Sequence, residues 1–156
     1  MRLRASVTIQ RRIATVFDFL TTAGSFPAWV AEVIGADGPA AEGMGIGAQL
    51  VMHTQGLVGQ VSSTWEVTAY EPPRTLAVRQ LLDGGPCVEA RWTLASAAPA
   101  GTQVWVVADI EAASFFRPAS ARLQAVGSQQ LQDDLERLRR VLEDADSRDS
   151  TAAARV

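Results

Sequence analysis

The stretch TWEVTAYEPPRTLAV, residues 64–78, holds two extended runs around a pair of prolines. Trp65, Val67 and Ala69 alternate with Glu66, Thr68 and Tyr70, and Leu76 and Val78 continue the pattern beyond the prolines. A period of two is the mark of half-buried strands. Pro72 and Pro73 have no N–H for a sheet ladder, so EPPR reads as a turn and the two runs as an antiparallel hairpin. Outward from this hairpin, QGLVG, DGGP and SAAPAG separate further runs of the same kind. They place strands at 47–55, 58–70, 75–83, 86–95 and 102–112, joined in sequence by short connections.

Upstream, Leu3, Ala5, Val7 and Ile9 alternate with polar residues as a first strand. Ile13, Val16, Phe17 and Leu20 then follow helical spacing. Gly24 ends that helix, and Ser25 is placed to cap a second one, FPAWVAEV, with Pro27 in its first turn. The Gly/Ala/Pro-rich segment 35–47 reads as loop with room for a short strand at its start. Downstream, Pro118 opens a long helix over about 117–143, with Leu123, Val126, Leu131, Leu135, Leu138 and Leu142 on one stripe. The tail 144–156 has little to bury and is expected to be disordered. Residues 1–143 thus form one domain.

The composition limits the function classes. Of 156 residues, 47% are hydrophobic and 20% charged, with a net charge of −3, the profile of an ordinary globular chain. The 14 basic residues are all arginines, scattered along the chain or interleaved with acids, so no nucleic-acid footprint is expected. The opening MRLRASVTIQRR lacks an apolar signal core, and no run reaches the ~20 apolar residues of a membrane span. A cytoplasmic protein without stable membrane insertion is the expectation. Cys87 is the single cysteine and His53 the single histidine, too few for an ordinary metal set.

Gly43, Gly45 and Ala48 in GMGIGA fit the spacing of a dinucleotide-binding loop. That loop needs a strand before it and a helix after it, so that a pyrophosphate meets the helix N-terminus. Here a loop precedes the glycines and the strand-like QLVMHTQG follows, so the nucleotide reading fails on context.

One strand, two short helices, a run of antiparallel strands and a long C-terminal helix resemble the helix-grip fold, an α+β arrangement. The residues carrying the resemblance are Val16-Phe17, Phe26-Pro27 with Trp29, Gly47, Trp65-Glu66-Val67, Tyr70-Glu71-Pro72-Pro73-Arg74 with Leu76, and Gly101-Thr102. The chain resembles the START and Bet v 1-like (SRPBCC) superfamily, in particular its polyketide cyclase/dehydrase-like branch. The resemblance implies a curved antiparallel sheet wrapped around the long C-terminal helix, with an internal cavity for a small hydrophobic or aromatic molecule, polyketide- or lipid-like. It implies no cofactor and is compatible with a homodimer. The early glycines would then form a flexible way in and a sharp strand start.

Strand parity assigns the cavity lining. Met52, Ser63, Trp65, Gln80 and Trp92 point inward from the strands, joined by Trp29 and by Leu123, Val126 and Gln130 from the long helix. The first half of that helix, RPASARLQAVGS, is rich in small residues, whereas the second carries leucines, so the void is expected under the first half. Phe115 and Phe116, with Trp65 and Trp92, are the side chains that could instead fill it. The same parity puts His53, Arg79, Glu89, Arg91, Asp109 and Glu111 on the outer face, leaving the inner face without an evident acid or base. Tyr70 is expected to cap the sheet edge and Cys87 to be a plain strand residue.

Three functions follow. The leading one is a binding chamber with cyclase/dehydratase-like activity open to it, where Ser63, Gln80, Gln130 or Thr54 would hydrogen-bond a carbonyl and confinement would lower the entropic cost of cyclisation. The others are a non-catalytic carrier or sensor, and an Hsp90-activator-like module using the outer sheet face.

Overall fold

The computed structural model describes residues 1–56, 58–81, 87–111 and 120–154. Leu57, Leu82, Phe115, Phe116, Pro118 and the expected first turn of the long helix lie outside these, as does the side chain of Leu123.

The chain runs β1 (Arg2–Ile9), α1 (Ile13–Thr21), a short turn of 3-10 helix, α2 (Phe26–Trp29), β2 (Val33–Asp37), β3 (Gln49–Gly56), β4 (Gly59–Glu71), β5 (Thr75–Leu81), β6 (Val88–Ala97), β7 (Gly101–Ile110) and α3 (Ser120–Ala154). The strands form one antiparallel sheet in the order β1-β7-β6-β5-β4-β3-β2. Each antiparallel pairing of successive strands read from the sequence is present, and β1 closes beside β7 at the far edge. This curled sheet and its long closing helix are the helix-grip fold.

Alternation fixes which face is buried. In β1, Leu3, Val7 and Ile9 are buried while Arg2, Arg4, Ser6 and Thr8 are exposed. In β6, Ala90, Trp92 and Leu94 face inward, and in β7 Val104, Val106 and Ala108 do. The packed end of the core lies where Val16, Phe17 and Leu20 of α1 meet the sheet. Leu135, Leu138 and Leu142 of α3 are buried as well. Arg11 Nη1 donates to the Leu142 carbonyl at 2.7 Å and the Gln10 amide to Glu143 at 3.0 Å, tying the end of β1 to α3.

Several local readings are corrected. Register shifts in β4 between Val67 and Ala69, leaving Thr68 without a partner in β5. A bulge of this kind reverses parity. Tyr70, paired with Leu76, therefore turns inward in place of Ala69 and packs on Phe17 with ring centroids 5.7 Å apart, rather than capping an edge. Ser25 does not cap α2. Its hydroxyl donates instead to the Phe19 and Thr22 carbonyls and closes the end of α1. The second helix is only Phe26–Trp29, because β-branched Val30 turns extended and Val33 opens an edge strand on β3.

The expected disordered tail is helical as far as Ala154. Once α3 has formed, each added residue gains a hydrogen bond for one residue fixed, and DADSRDSTAAA contains no Gly or Pro to stop it. No described helix is long and apolar enough to cross a membrane.

The GMGIGA segment returns the chain from β2 to β3 through tight turns. Gly47 takes φ +89°, a conformation that glycine adopts without strain. Its amide donates to the Val67 carbonyl at 2.8 Å, and the Val67 amide to the Ala48 carbonyl at 2.8 Å. The glycines serve sheet geometry.

Candidate functional site: a cavity between sheet and helix

A cavity of about 260 Å³ lies between the concave sheet face, α2 and the middle of α3. Its sheet floor includes Val78, Ala90 and Trp92, with Ala108 and Leu3 beside them. Ala90 and Ala108 are direct partners across β6 and β7, and Ala108 also pairs with Leu3. Methyl side chains on neighbouring strands leave the sheet floor low at this point.

Met52 and Thr54 of β3 and Ser63 and Trp65 of β4 line one end. The Trp65 indole N–H donates to the Ser63 hydroxyl at 2.9 Å, which orients both. The opposite wall is aromatic. Phe26 and Trp29 pack at 5.5 Å between centroids, and Trp29 meets Trp92 at 6.4 Å with an interplanar angle of 85°, an edge-to-face geometry favoured by ring quadrupoles. The buried Trp29 N–H has no hydrogen-bond partner among the described residues.

From α3 the described lining is Leu131, Asp134 and Leu135. Asp134 is only 7% exposed. Its Oδ1 accepts hydrogen bonds from the Ala31 amide at 3.1 Å, Gln130 Nε2 at 3.2 Å and Arg137 Nη1 at 3.1 Å. The same Arg137 nitrogen donates to the Trp29 carbonyl at 3.0 Å. Asp134 and Arg137 thereby fasten the end of α2 to α3. Burial raises the Asp134 carboxyl above its ordinary value, against the lowering pull of these donors.

Of the nine residues read from the sequence as lining, Trp29, Met52, Ser63, Trp65 and Trp92 border this cavity. Gln80, half-buried, pairs with Trp65 across β4 and β5 and does not line it. Gln130 stands behind Asp134 as a donor, one turn back along the helix. Val126 is 63% exposed on the outer side of α3, because Gly127 is the residue that faces the sheet, against Leu3. The side chains of residues 117–121 and 123 in the first half of the helix lie outside the described residues, and among those described the void touches the helix at Leu131, Asp134 and Leu135. Its room comes from sheet alanines, which strand parity places inward without showing that they leave space. Asp134 was missed, although it interrupts the apolar stripe between Leu131 and Leu138 at i+3 and i−4. An acid within a buried stripe is the signal that could have found it.

The outer face holds His53 bridging two strands. Its Nδ1 lies 2.8 Å from Ser62 Oγ and its Nε2 3.0 Å from Asp37 Oδ2. The order Ser–His–Asp imitates a hydrolytic triad. Yet all three side chains stand side by side on neighbouring paired strands, Asp37 is 80% exposed, and the ladder engages the local backbone amides that an oxyanion hole would need. Cross-strand hydrogen bonding accounts for it. Asp109 is likewise outside, held by Arg2 Nε at 2.7 Å and lowered by that pairing. Glu111 is exposed and Cys87 half-buried.

A family model described as polyketide cyclase / dehydrase and lipid transport matches residues 1–143. The structure is similar to TTHA0849 from Thermus thermophilus, at 14% identity and TM-score 0.75, over 93% of this chain and 99% of that one. It is similar to a START superfamily protein from Mycobacterium smegmatis, at 14% identity and TM-score 0.62, over 88% and 98%. It also matches StfQ, a di-domain ARO/CYC of the steffimycin biosynthetic pathway, at 12% identity and TM-score 0.72, over 94% of this chain and 51% of that one. Among curated proteins, none matches the chain in sequence.

Proposed function

The chain belongs to the polyketide cyclase / dehydrase and lipid transport family, and from that membership we propose that it encloses a small hydrophobic or aromatic molecule in the cavity between its sheet and α3. The single observation behind this reading is the lining: two tryptophans in edge-to-face contact, a methionine and paired alanines around about 260 Å³ of unfilled space. Native interiors otherwise pack without voids of that size. A cavity of ~150 Å³ lined by aliphatic and aromatic groups holds a benzene ring. The volume here suits one or two fused rings or an equivalent alkyl fragment, while a longer chain would have to extend through the mouth beside exposed Glu32. Removing ~300 Å² of apolar ligand surface from water contributes ~7 kcal/mol before association costs. Before those costs this corresponds to a Kd of roughly 10 μM, so an affinity between about 10 μM and 1 mM is expected without a charged contact.

The test is direct titration with naphthalene-sized probes, followed by tryptophan fluorescence, because Trp29, Trp65 and Trp92 all border the space. Saturable quenching with a Kd below about 1 mM supports the proposal; unchanged fluorescence with no heat in calorimetry overturns it. Native mass spectrometry of protein from its own host would identify the natural guest.

A further inference from the structure

The three described donors to Asp134 all converge on one oxygen, Oδ1. Among the described residues no hydrogen bond reaches Oδ2, although the side chain borders the cavity and is nearly buried. An ionised carboxylate has acceptor capacity on both oxygens, and the Asp134 side chain keeps about 10% of its surface open, which leaves Oδ2 available to a donor in the cavity. The three donors also fix the carboxylate's orientation, so the free oxygen is preorganised. Of the other polar groups in the described lining, Ser63 is engaged with Trp65, Thr54 donates to the Val61 carbonyl at 3.4 Å, the unpaired Trp29 N–H is a donor, and Glu32 is exposed, so Asp134 Oδ2 is the buried acceptor left for a guest's O–H.

We infer that Asp134 Oδ2 is the anchor that selects the guest: a neutral apolar or aromatic molecule carrying a hydroxyl, phenolic or enolic, whose O–H donates to this oxygen. This rests on the cavity-binding reading proposed above. The chemistry excludes a fatty acid held by its carboxylate at this point, because a second anion would face Asp134 while Arg137 is already engaged with Asp134 Oδ1 and the Trp29 carbonyl. An ether or ketone of the same shape offers only an acceptor and leaves Oδ2 unmet. A hydrogen bond to a charged group corresponds to a preference of about tenfold or more for the hydroxyl compound.

The experiment compares 2-naphthol, 2-methoxynaphthalene and naphthalene by calorimetry on the full chain, for wild type, Asp134→Asn and Glu32→Gln. Asparagine keeps an acceptor for the three donors and replaces the free oxygen by an N–H donor. The expected result is a preference for 2-naphthol of at least about tenfold over both other probes in wild type and Glu32→Gln. In Asp134→Asn the order shifts towards 2-methoxynaphthalene. Equal binding of the three probes by wild type overturns the anchor while leaving the cavity reading intact. So does a naphthol preference that survives Asp134→Asn or vanishes in Glu32→Gln. If no probe binds wild type, the cavity reading fails and the anchor with it. The wild-type comparison stands even if the Asp134 variant does not fold.

Discussion

Ala90 and Ala108 face one another across β6 and β7, both nearly buried and both bordering the cavity. Two methyl groups side by side on the concave face set the height of the sheet floor beneath α3. Replacing Ala108 by leucine puts three more carbons into existing space, so the ~1–3 kcal/mol penalty of overpacking a filled core does not apply. The expected outcome is an unfolding midpoint unchanged or raised by a few degrees, with affinity for an apolar probe reduced more than tenfold. Thermal unfolding and fluorescence titration on one sample check both halves. A variant that binds as wild type would place the guest elsewhere.

The second prediction concerns pH and Asp134. Burial raises its carboxyl in the folded protein, so the folded state holds the proton more tightly than the unfolded chain. The stability this proton supplies is full below the ordinary carboxylate value and is lost as pH rises through the raised one. The charged group paired with it is Arg137 on α3, and Glu32 is the other acid lining the same cavity. Asp134→Asn removes the titration and keeps the Oδ1 acceptor. Its unfolding midpoint should therefore gain on wild type as pH rises from below 4 to 7. A difference independent of pH would show that burial does not govern this carboxyl.

A third prediction separates the outer face from the cavity. His53 bridges Ser62 and Asp37 on the side of the sheet away from α3. His53→Ala should cost under ~1 kcal/mol, the scale of a cross-strand pair, and should change probe affinity less than twofold. Denaturant unfolding and the same titration measure the two quantities. A large affinity loss would mean the sheet transmits changes on one face to the other.

The same two faces explain how far the sequence could be read. Strict alternation in β1, β6 and β7 assigned Leu3, Trp92 and Val106 correctly because their paired registers run without a shift. In β4, one unpaired residue at Thr68 inverted Tyr70 and Ala69, and nothing in TWEVTAY marks that position. The cavity's aromatic wall was legible because Trp29 and Trp92 are large and sit at inward positions. Its polar point was marked only by the place of Asp134 within the leucine stripe, a signal hidden by the surrounding acidic run QDDLER until α2 is laid against it. Gln80 and Val126 lie away from the described lining for a related reason. Parity and stripe give a direction, whereas lining a cavity also depends on where along the element the opposing layer stands off.

The last prediction tests that stand-off at the helix. A Cβ on Gly127 would lie 2.8 Å from Leu3 Cδ1 and 3.1 Å from Cδ2, too close unless Leu3 moves. The obstructing atoms are the free end of a side chain that itself borders the cavity, so it has unfilled space to turn into. Alanine in place of glycine inside a helix is worth ~0.5–1 kcal/mol. Gly127→Ala should thus raise the unfolding midpoint by ~1–4 °C for a chain of this size. As Leu3 swings inward, the cavity should shrink and apolar probes should bind severalfold more weakly. A lowered midpoint of similar size would mean that Leu3 is held in place and that the space beneath α3 is not available to it.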